Sequence, residues 1–450
     1  MTGAPGRTVR AALAPVRDSV RTQLWPVPMV GVVVAVAAGV GLPRLDARID
    51  DRLPPSVTAY LFGGGAEAAR AVLSSVAGSL ITVTSLTFSL TVVTLQLASS
   101  QFSPRLLRTF TRDRFVHVTL ALFLATFSYA LTVLRVIRGS SDSDDEFVPQ
   151  ISVTVAFVLA IASVAGLVLF LAHLAREIRV ETMVQKVHRD AEDALEDAVS
   201  GGDDADTAPE PPASARPVAA GSSGFLVRID EAELLAAAVA AGAMVRVDRP
   251  PGSYLVAGTP LARTWPRTPG SETDPGLSER VAAAVTTGTE RTQVQDVAFG
   301  LRQLTDVAVK ALSPGINDPT TAVYALSHAS ALLCTLTGRD LAPRLLRDED
   351  GVVRVVLHRP DFAELLELAV AQPRRYGVAD PVVLGSLASL LSDVAWRART
   401  PDQRGAVADQ LARLRASAAA QDFDPAERAH LAAATAQVEH ALAGRWDPAG

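Results

Sequence analysis

Cysteine is almost missing: the 450 residues include one, Cys334. That excludes an intramolecular disulfide framework and any cysteine-rich metal site, and the apolar run Ala331-Leu332-Leu333-Cys334 predicts a buried core thiol. Lysine occurs only as Lys186 and Lys310, so nearly all positive charge is arginine. A basic surplus is lacking too. With 42 Lys+Arg against 48 Asp+Glu the formal net charge is −6, which leaves no electrostatic footprint for a nucleic acid. No P-loop, GxSxG elbow or GxGxxG turn is present, and Gly63-Gly64-Gly65 has no following lysine. The seven histidines are scattered without the spacing of a metal site. These absences argue against an enzyme and predict neither a metal nor a cofactor.

Hydrophobic residues make up 49% of the chain, high for a soluble protein of this size. The long uncharged runs lie before Ala175, and most charge lies after it. A membrane span needs about 20 mainly apolar residues, and four segments qualify: 24–42, 71–98, 115–134 and 148–175. The resulting division is an N-terminal segment 1–23, a transmembrane region 24–175 and a helical extension 176–200 that continues the last span. A flexible linker 201–224, a strand-rich subdomain 225–265 and a mainly helical region 266–450 follow. The predicted fold class is therefore an α-helical polytopic membrane protein with a cytosolic, mostly helical α+β domain.

Orientation follows from basic residues near the span ends. Arg7, Arg10, Arg17 and Arg21 precede the first span; Arg105, Arg108, Arg112 and Arg114 lie between the second and third; Arg176, Arg179, Lys186 and Arg189 follow the fourth. Against these twelve, the loops assigned outside carry six: Arg44, Arg48, Arg52, Arg70, Arg135 and Arg138. Both termini are thus expected in the cytosol, with the chain in the bacterial inner membrane. Arg105, Arg108, Arg112 and Arg114 would form a positive cytoplasmic rim, attractive to anions or lipid headgroups; topology determination alone is the simpler account of them.

The second span is unusual. From Ala71 to Pro104 there is no charged residue, a run of 34 positions that as one helix would measure about 50 Å; part of it must protrude, tilt or break. One stripe at helical spacing reads Ser75, Gly78, Thr82, Ser85, Ser89, Val92, Gln96 and Ser99; another reads Thr84, Thr87, Thr91 and Thr94. Such stripes allow close helix packing with hydroxyl bonds to backbone carbonyls. They can also line a watery path, in which Ser75, Thr82, Ser85, Ser89 and Gln96 would replace part of a solute's hydration. No Asp, Glu, Lys or Arg falls within the spans so drawn, which favours a passive path over ion-coupled pumping.

Beyond the linker, Phe225–Ile229, Met244–Asp248, Ser253–Gly258 and Val352–Leu357 read as strands, the rest as helices. In Phe299–Ala322, Arg302 and Asp306 stand four apart on one helical face. Ser313-Pro314-Gly315 ends that helix, and Asn317-Asp318-Pro319-Thr320 starts the next, with Asp318 as N-cap and Pro319 first. The same residues are candidates for an anion site, although Asp318 already occupies the cap.

Ser85–Arg114 (SLTFSLTVVTLQLASSQFSPRLLRTFTRDR) together with LRQLTDVAVKALSPGINDPTTA resembles the bacterial predicted-membrane-protein family called domain of unknown function 2254. The resemblance spans nearly the whole chain and implies a membrane protein of this architecture, without catalytic residues to transfer. The expected function is a homo-oligomeric channel or permeability pathway lined by the second span and gated by the cytosolic domain. The alternative is a membrane-anchored sensor or scaffold that binds a small ligand or protein. Membrane lipids and further copies of the chain are the expected partners.

Overall fold

The computed structural model describes residues 25–49, 61–101, 113–138, 147–177, 179–199, 208–268, 270–271 and 274–446. The chain divides into two compact units, Met1–Arg179 and Val180–Gly450.

In the first unit, α1 (Pro26–Ile49), α2 (Ala66–Gln101), α3 (Arg114–Leu134) and α4 (Gln150–Glu177) are all long and apolar enough to cross a membrane. Hydrocarbon offers no partner to a backbone N–H, so a helix that satisfies its own is the form such segments take. Helix α3 is central and packs on the other three. Leu73, Phe123, Tyr129, Val133, Val153 and Ala156 fill the interior, and a hydroxyl pair, Thr126 with Ser163 at 3.2 Å, joins α3 to α4. Small residues bring α1 close: a Cβ on Gly39 would lie 2.8 Å from Thr132 Cβ.

Three details differ from the sequence expectation. Helix α1 runs through Pro43 to Ile49 instead of ending at Leu42, so Arg44, Asp46 and Arg48 belong to the first spanning helix. Helix α2 is unbroken over 36 residues, about 54 Å at 1.5 Å per residue; of the three options only protrusion or tilt survives. Helix α4 stops at Glu177, and α5 (Val180–Val199) is a separate element of the second unit. The reason is its apolar stripe: Met183, Val184, Val187, Ala191 and Leu195 are buried as α5 packs on α8 (Phe299–Ala311) and α9 (Pro319–Leu336). The approach is so close that a Cβ on Gly300 of α8 would overlap Ala191.

The second unit contains eight strands among its described residues. β1 (Arg216–Ala219), β3 (Ala243–Val247), β5 (Pro260–Pro266), β7 (Arg344–Arg347) and β8 (Val353–Leu357) form a sheet in the order β1-β5-β3-β8-β7. All neighbours are antiparallel except β3 and β8, where Val245 pairs with Val355 in parallel. β2 (Gly224–Ile229) lies between β4 (Tyr254–Leu255) and β6 (Val285–Gly288) in a second sheet. Helices α6 (Glu231–Ala240) and α7 (Leu277–Ala283) cover the core of Leu234, Val245, Val247, Leu261, Leu277, Val281 and Val355.

Residues 208–224, expected as part of a linker, supply β1, because strand pairing is made by backbone groups and needs only Val218 and Ala220 inside. The strand region is not closed at Trp265 either, since β6, β7 and β8 join it from later in the chain. The helical layer comprises α8, α9, α10 (Phe362–Tyr376), α11 (Pro381–Arg397), α12 (Pro401–Ala419) and α13 (Pro425–Leu442). Four of these open on an acceptor followed by proline, at Asp318, Asp380, Thr400 and Asp424, satisfying helix N–H groups that have no partner within the helix.

Candidate functional site

Helix α2 presents two polar faces with opposite environments. Thr84, Thr87, Thr91 and Thr94 are buried against the bundle. Thr84 donates to the Leu80 carbonyl at 2.7 Å, Thr91 to Thr87 and Thr94 to Leu90, each at 2.8 Å, so these hydroxyls are satisfied within their own helix. The Thr87 hydroxyl has no hydrogen-bond partner among the described residues. Ser75, Thr82, Ser85, Ser89 and Gln96 face outward and are exposed along the helix. Thr82 donates to Gly78 O at 3.2 Å. Thr82, Ser85 and Ser89 line a shallow groove with Ile81 and Leu86, next to a more apolar one between α1 and α2 that Trp25, Met29, Val32 and Phe88 border. The candidate path residues are therefore one continuous stripe on the outside of the four-helix unit.

Of the expected positive rim, Arg105, Arg108 and Arg112 lie outside the described residues, and Arg114 is the exposed first residue of α3.

Asp46 forms a contact that no sequence pattern signals. It is 4% exposed, and its carboxylate accepts from Ile151 N at 3.1 Å, Ser152 N at 2.9 Å and Ser152 Oγ at 2.7 Å. A residue of α1 thus caps the N-terminus of α4, where the helix dipole favours negative charge. Tyr129 of α3 donates to Ser152 O at 3.1 Å, so three helices meet at this point. No local motif signals the contact, because cap and helix start are 106 positions apart.

In the second unit, Arg302 and Asp306 stand one turn apart on α8, both half-buried. Asn317 adopts φ +50°, a left-handed conformation that asparagine tolerates better than most residues. Asp318 accepts from Thr321 N at 3.1 Å and from Thr321 Oγ1 at 2.5 Å, and these bonds hold its carboxyl below the ordinary carboxylate range. Pro319 and Thr320 open α9. Cys334 is half-buried, not a core thiol; it borders an open cleft with Asp393, Trp396 and Trp446, and partial burial pushes its pKa up to about 11.

The structure adds a cavity of about 370 Å³ lined by Arg228, Asp230, Glu231, Gln295, Arg344, His358 and Arg359. Arg344 pairs with Glu231 at 2.8 Å. Burial, and then the neighbouring Arg344, push the Arg359 pKa down. Its residues come from β2, the start of α6, the segment before α8, β7 and the segment after β8, too far apart in sequence to read as one motif.

The model of the family described as predicted membrane protein (DUF2254) matches residues 21–393. This chain belongs to that family. Its relatives include the uncharacterized protein Rv1290c of Mycobacterium tuberculosis (strain ATCC 25618 / H37Rv) and the uncharacterized protein Mb1321c of Mycobacterium bovis. Each is 36% identical over 433 residues, covering 94% of this chain and 81% of the relative. No solved structure matches. The family assignment agrees with the four apolar helices and makes the chain a predicted membrane protein.

Proposed function

We propose that this DUF2254 protein is the subunit of a homo-oligomeric permeability pathway, formed where the outer stripe of α2 meets further copies of the chain. The observation that carries this reading is the exposure of Ser75, Thr82, Ser85, Ser89 and Gln96 along one face of the longest spanning helix. A serine or threonine can satisfy itself on the carbonyl one turn back, as Thr82 does, but a glutamine carboxamide in hydrocarbon has no such local remedy. Covering the stripe with the same stripe of a neighbour removes that cost, and a path between subunits would be lined by hydroxyls. Acidic and basic side chains of the spanning helices lie toward helix ends, as Asp46, Glu67, Arg70 and Arg176 do, which suits a passive path. The second unit, joined to α4 through residues 178 and 179, is the natural gate, and the reading assigns the chain no catalysis.

Single cysteines from Ser75 to Gln96 in a Cys334→Ala background test it directly. A membrane-impermeant thiol reagent should label the Ser85, Ser89 and Gln96 face with helical period, and replacing those three by Ala, Ala and Leu should abolish flux in vesicles. Labelling confined to the ends, or a monomeric particle in detergent, removes the pathway. In this reading the protein sits in the bacterial inner membrane with both termini cytosolic. Reporters after Gly139 and after Gly450 should then report opposite sides; the same side for both sinks the four-span arrangement.

A second reading, a membrane-anchored sensor, is favoured by the arginine-lined cavity of the second unit. Three guanidiniums against two carboxylates leave it suited to a small anion. Ligand-dependent stabilisation with intact α2 variants would select it.

A further inference from the structure

We infer that Asp113, His173 and Glu177 form a binding site for a divalent first-row transition metal of the zinc or manganese kind, clamping the start of α3 to the end of α4. His173 and Glu177 are four residues apart on α4, so they project from one face near its C-terminal end. Asp113 precedes α3 as its N-cap: Oδ1 accepts from Phe115 N at 2.9 Å, and Oδ2 is turned to His173 Nε2 at 2.5 Å. One ligand atom from each of the three lies within 4.8 Å of the others. The imidazole is held in place by the Phe115 ring, centroids 4.7 Å apart. The His173 and Asp113 side chains are 22% and 15% exposed, dry enough to strengthen an ionic bond and open enough for an ion to enter.

The donor set selects the ion. An imidazole with two carboxylates suits zinc, manganese or ferrous iron, whereas magnesium and calcium prefer oxygen alone and no thiolate is present for softer ions. Metal–nitrogen and metal–oxygen bonds of about 2.0–2.2 Å put neighbouring donors about 3.0–3.4 Å apart, from octahedral to tetrahedral geometry. Asp113 Oδ2 and His173 Nε2, now 2.5 Å apart, therefore need to separate by about half to one ångström. The two carboxylates carry two negative charges, which a dication neutralises. Three protein donors leave a position for water or another ligand. One helical turn after Asp113, His117 is buried and its Nε2 has no hydrogen-bond partner among the described residues. In the sequence no histidine of this chain stands out as a ligand, because the third member of the group comes from 60 positions away.

The test uses the full-length protein without a histidine tag, stripped with EDTA in detergent and titrated separately with Zn²⁺ and Mn²⁺. Elemental analysis after dialysis should find one ion per chain. Glu177→Gln preserves size and leaves the Asp113–His173 bond; Asp113→Asn retains an N-cap acceptor. Each should weaken binding by roughly tenfold or more, the least expected when even a supporting residue is lost. His188→Ala, in the other unit, should leave it unchanged. Co²⁺ in place of zinc should give visible absorption bands that Glu177→Gln shifts or removes. A stripped wild-type protein that retains neither ion, or a Glu177→Gln protein that binds as wild type does, overturns the proposal. If Asp113→Asn does not fold, Glu177→Gln alone decides.

Discussion

Before Arg179, Val33, Val34, Phe88, Val164 and Leu169 face outward, and Thr84, Thr87, Thr126 and Ser163 face inward. After Val180 the outer surface changes: Leu234, Leu304, Leu366 and Leu391 are fully buried, and charged side chains lie mainly at the surface. One helix start of the first unit is also made in a way that the following four of the second are not. In the second, the caps at Asp230, Asp318, Asp380 and Asp424 lie within three residues of the N–H groups they accept from. In the first, Asp113 caps α3 locally in the same way, but α4 is capped by Asp46 from another helix. Water competes for exposed polar groups and so favours short-range caps that form with the helix itself. Hydrocarbon leaves no such competitor: hydroxyls there bond their own helix, as Thr84 does, and the Asp46 carboxylate is held across to a neighbouring helix.

The sharpest way to break this contrast is one substitution made in both environments. Leu391→Ala, in the core of α11, should cost about 2–5 kcal/mol through lost burial and a residual cavity. The same change at Leu169, which is 56% exposed on α4, should cost less than about 0.5 kcal/mol, because lipid replaces the lost contact. Unfolding of the purified protein in detergent, followed by circular dichroism, compares the pair. Equal costs would mean that the α4 face is covered by protein.

Asp46→Ala should rank next, at about 2–3 kcal/mol, since it strands two N–H groups and a serine hydroxyl away from water. Asp46→Asn should recover part of the loss by keeping an acceptor. A cost as small as that of an exposed cap would place the α4 start in water.

Asp318→Ala should destabilise the second unit by about 0.5–2 kcal/mol without affecting membrane insertion. The Asp318 carboxyl titrates below its unfolded value, with Thr321 as the main cause. Its stabilisation is therefore complete above the unfolded carboxylate pKa of about 3.9 and is lost as pH falls through the lower folded value. Stability curves between pH 3 and pH 6 should show a shallower acid loss for Asp318→Asn than for wild type. Unchanged stability with loss of a bound ligand would make this motif functional instead of structural.

Four apolar runs without charge determined four helices of spanning length, because length and the backbone's need for internal partners leave no other solution. Alternation in Met244–Asp248 and Val352–Leu357, and the acceptor-proline pairs at 318, 380, 400 and 424, likewise determined local structure through contacts a few residues long. What tertiary structure alone decided was every pairing across distance. It turned the Thr84 face of α2 inward and the Ser85 face outward, a choice that two polar stripes of one helix do not contain. It also detached α5 from α4, drew β1 out of a polar segment, and brought Asp46 to Ser152 and Asp113 to His173. The physical reason is common to all of these: hydrogen bonding and packing across tens to a hundred positions depend on where whole helices settle, and no local spacing encodes that.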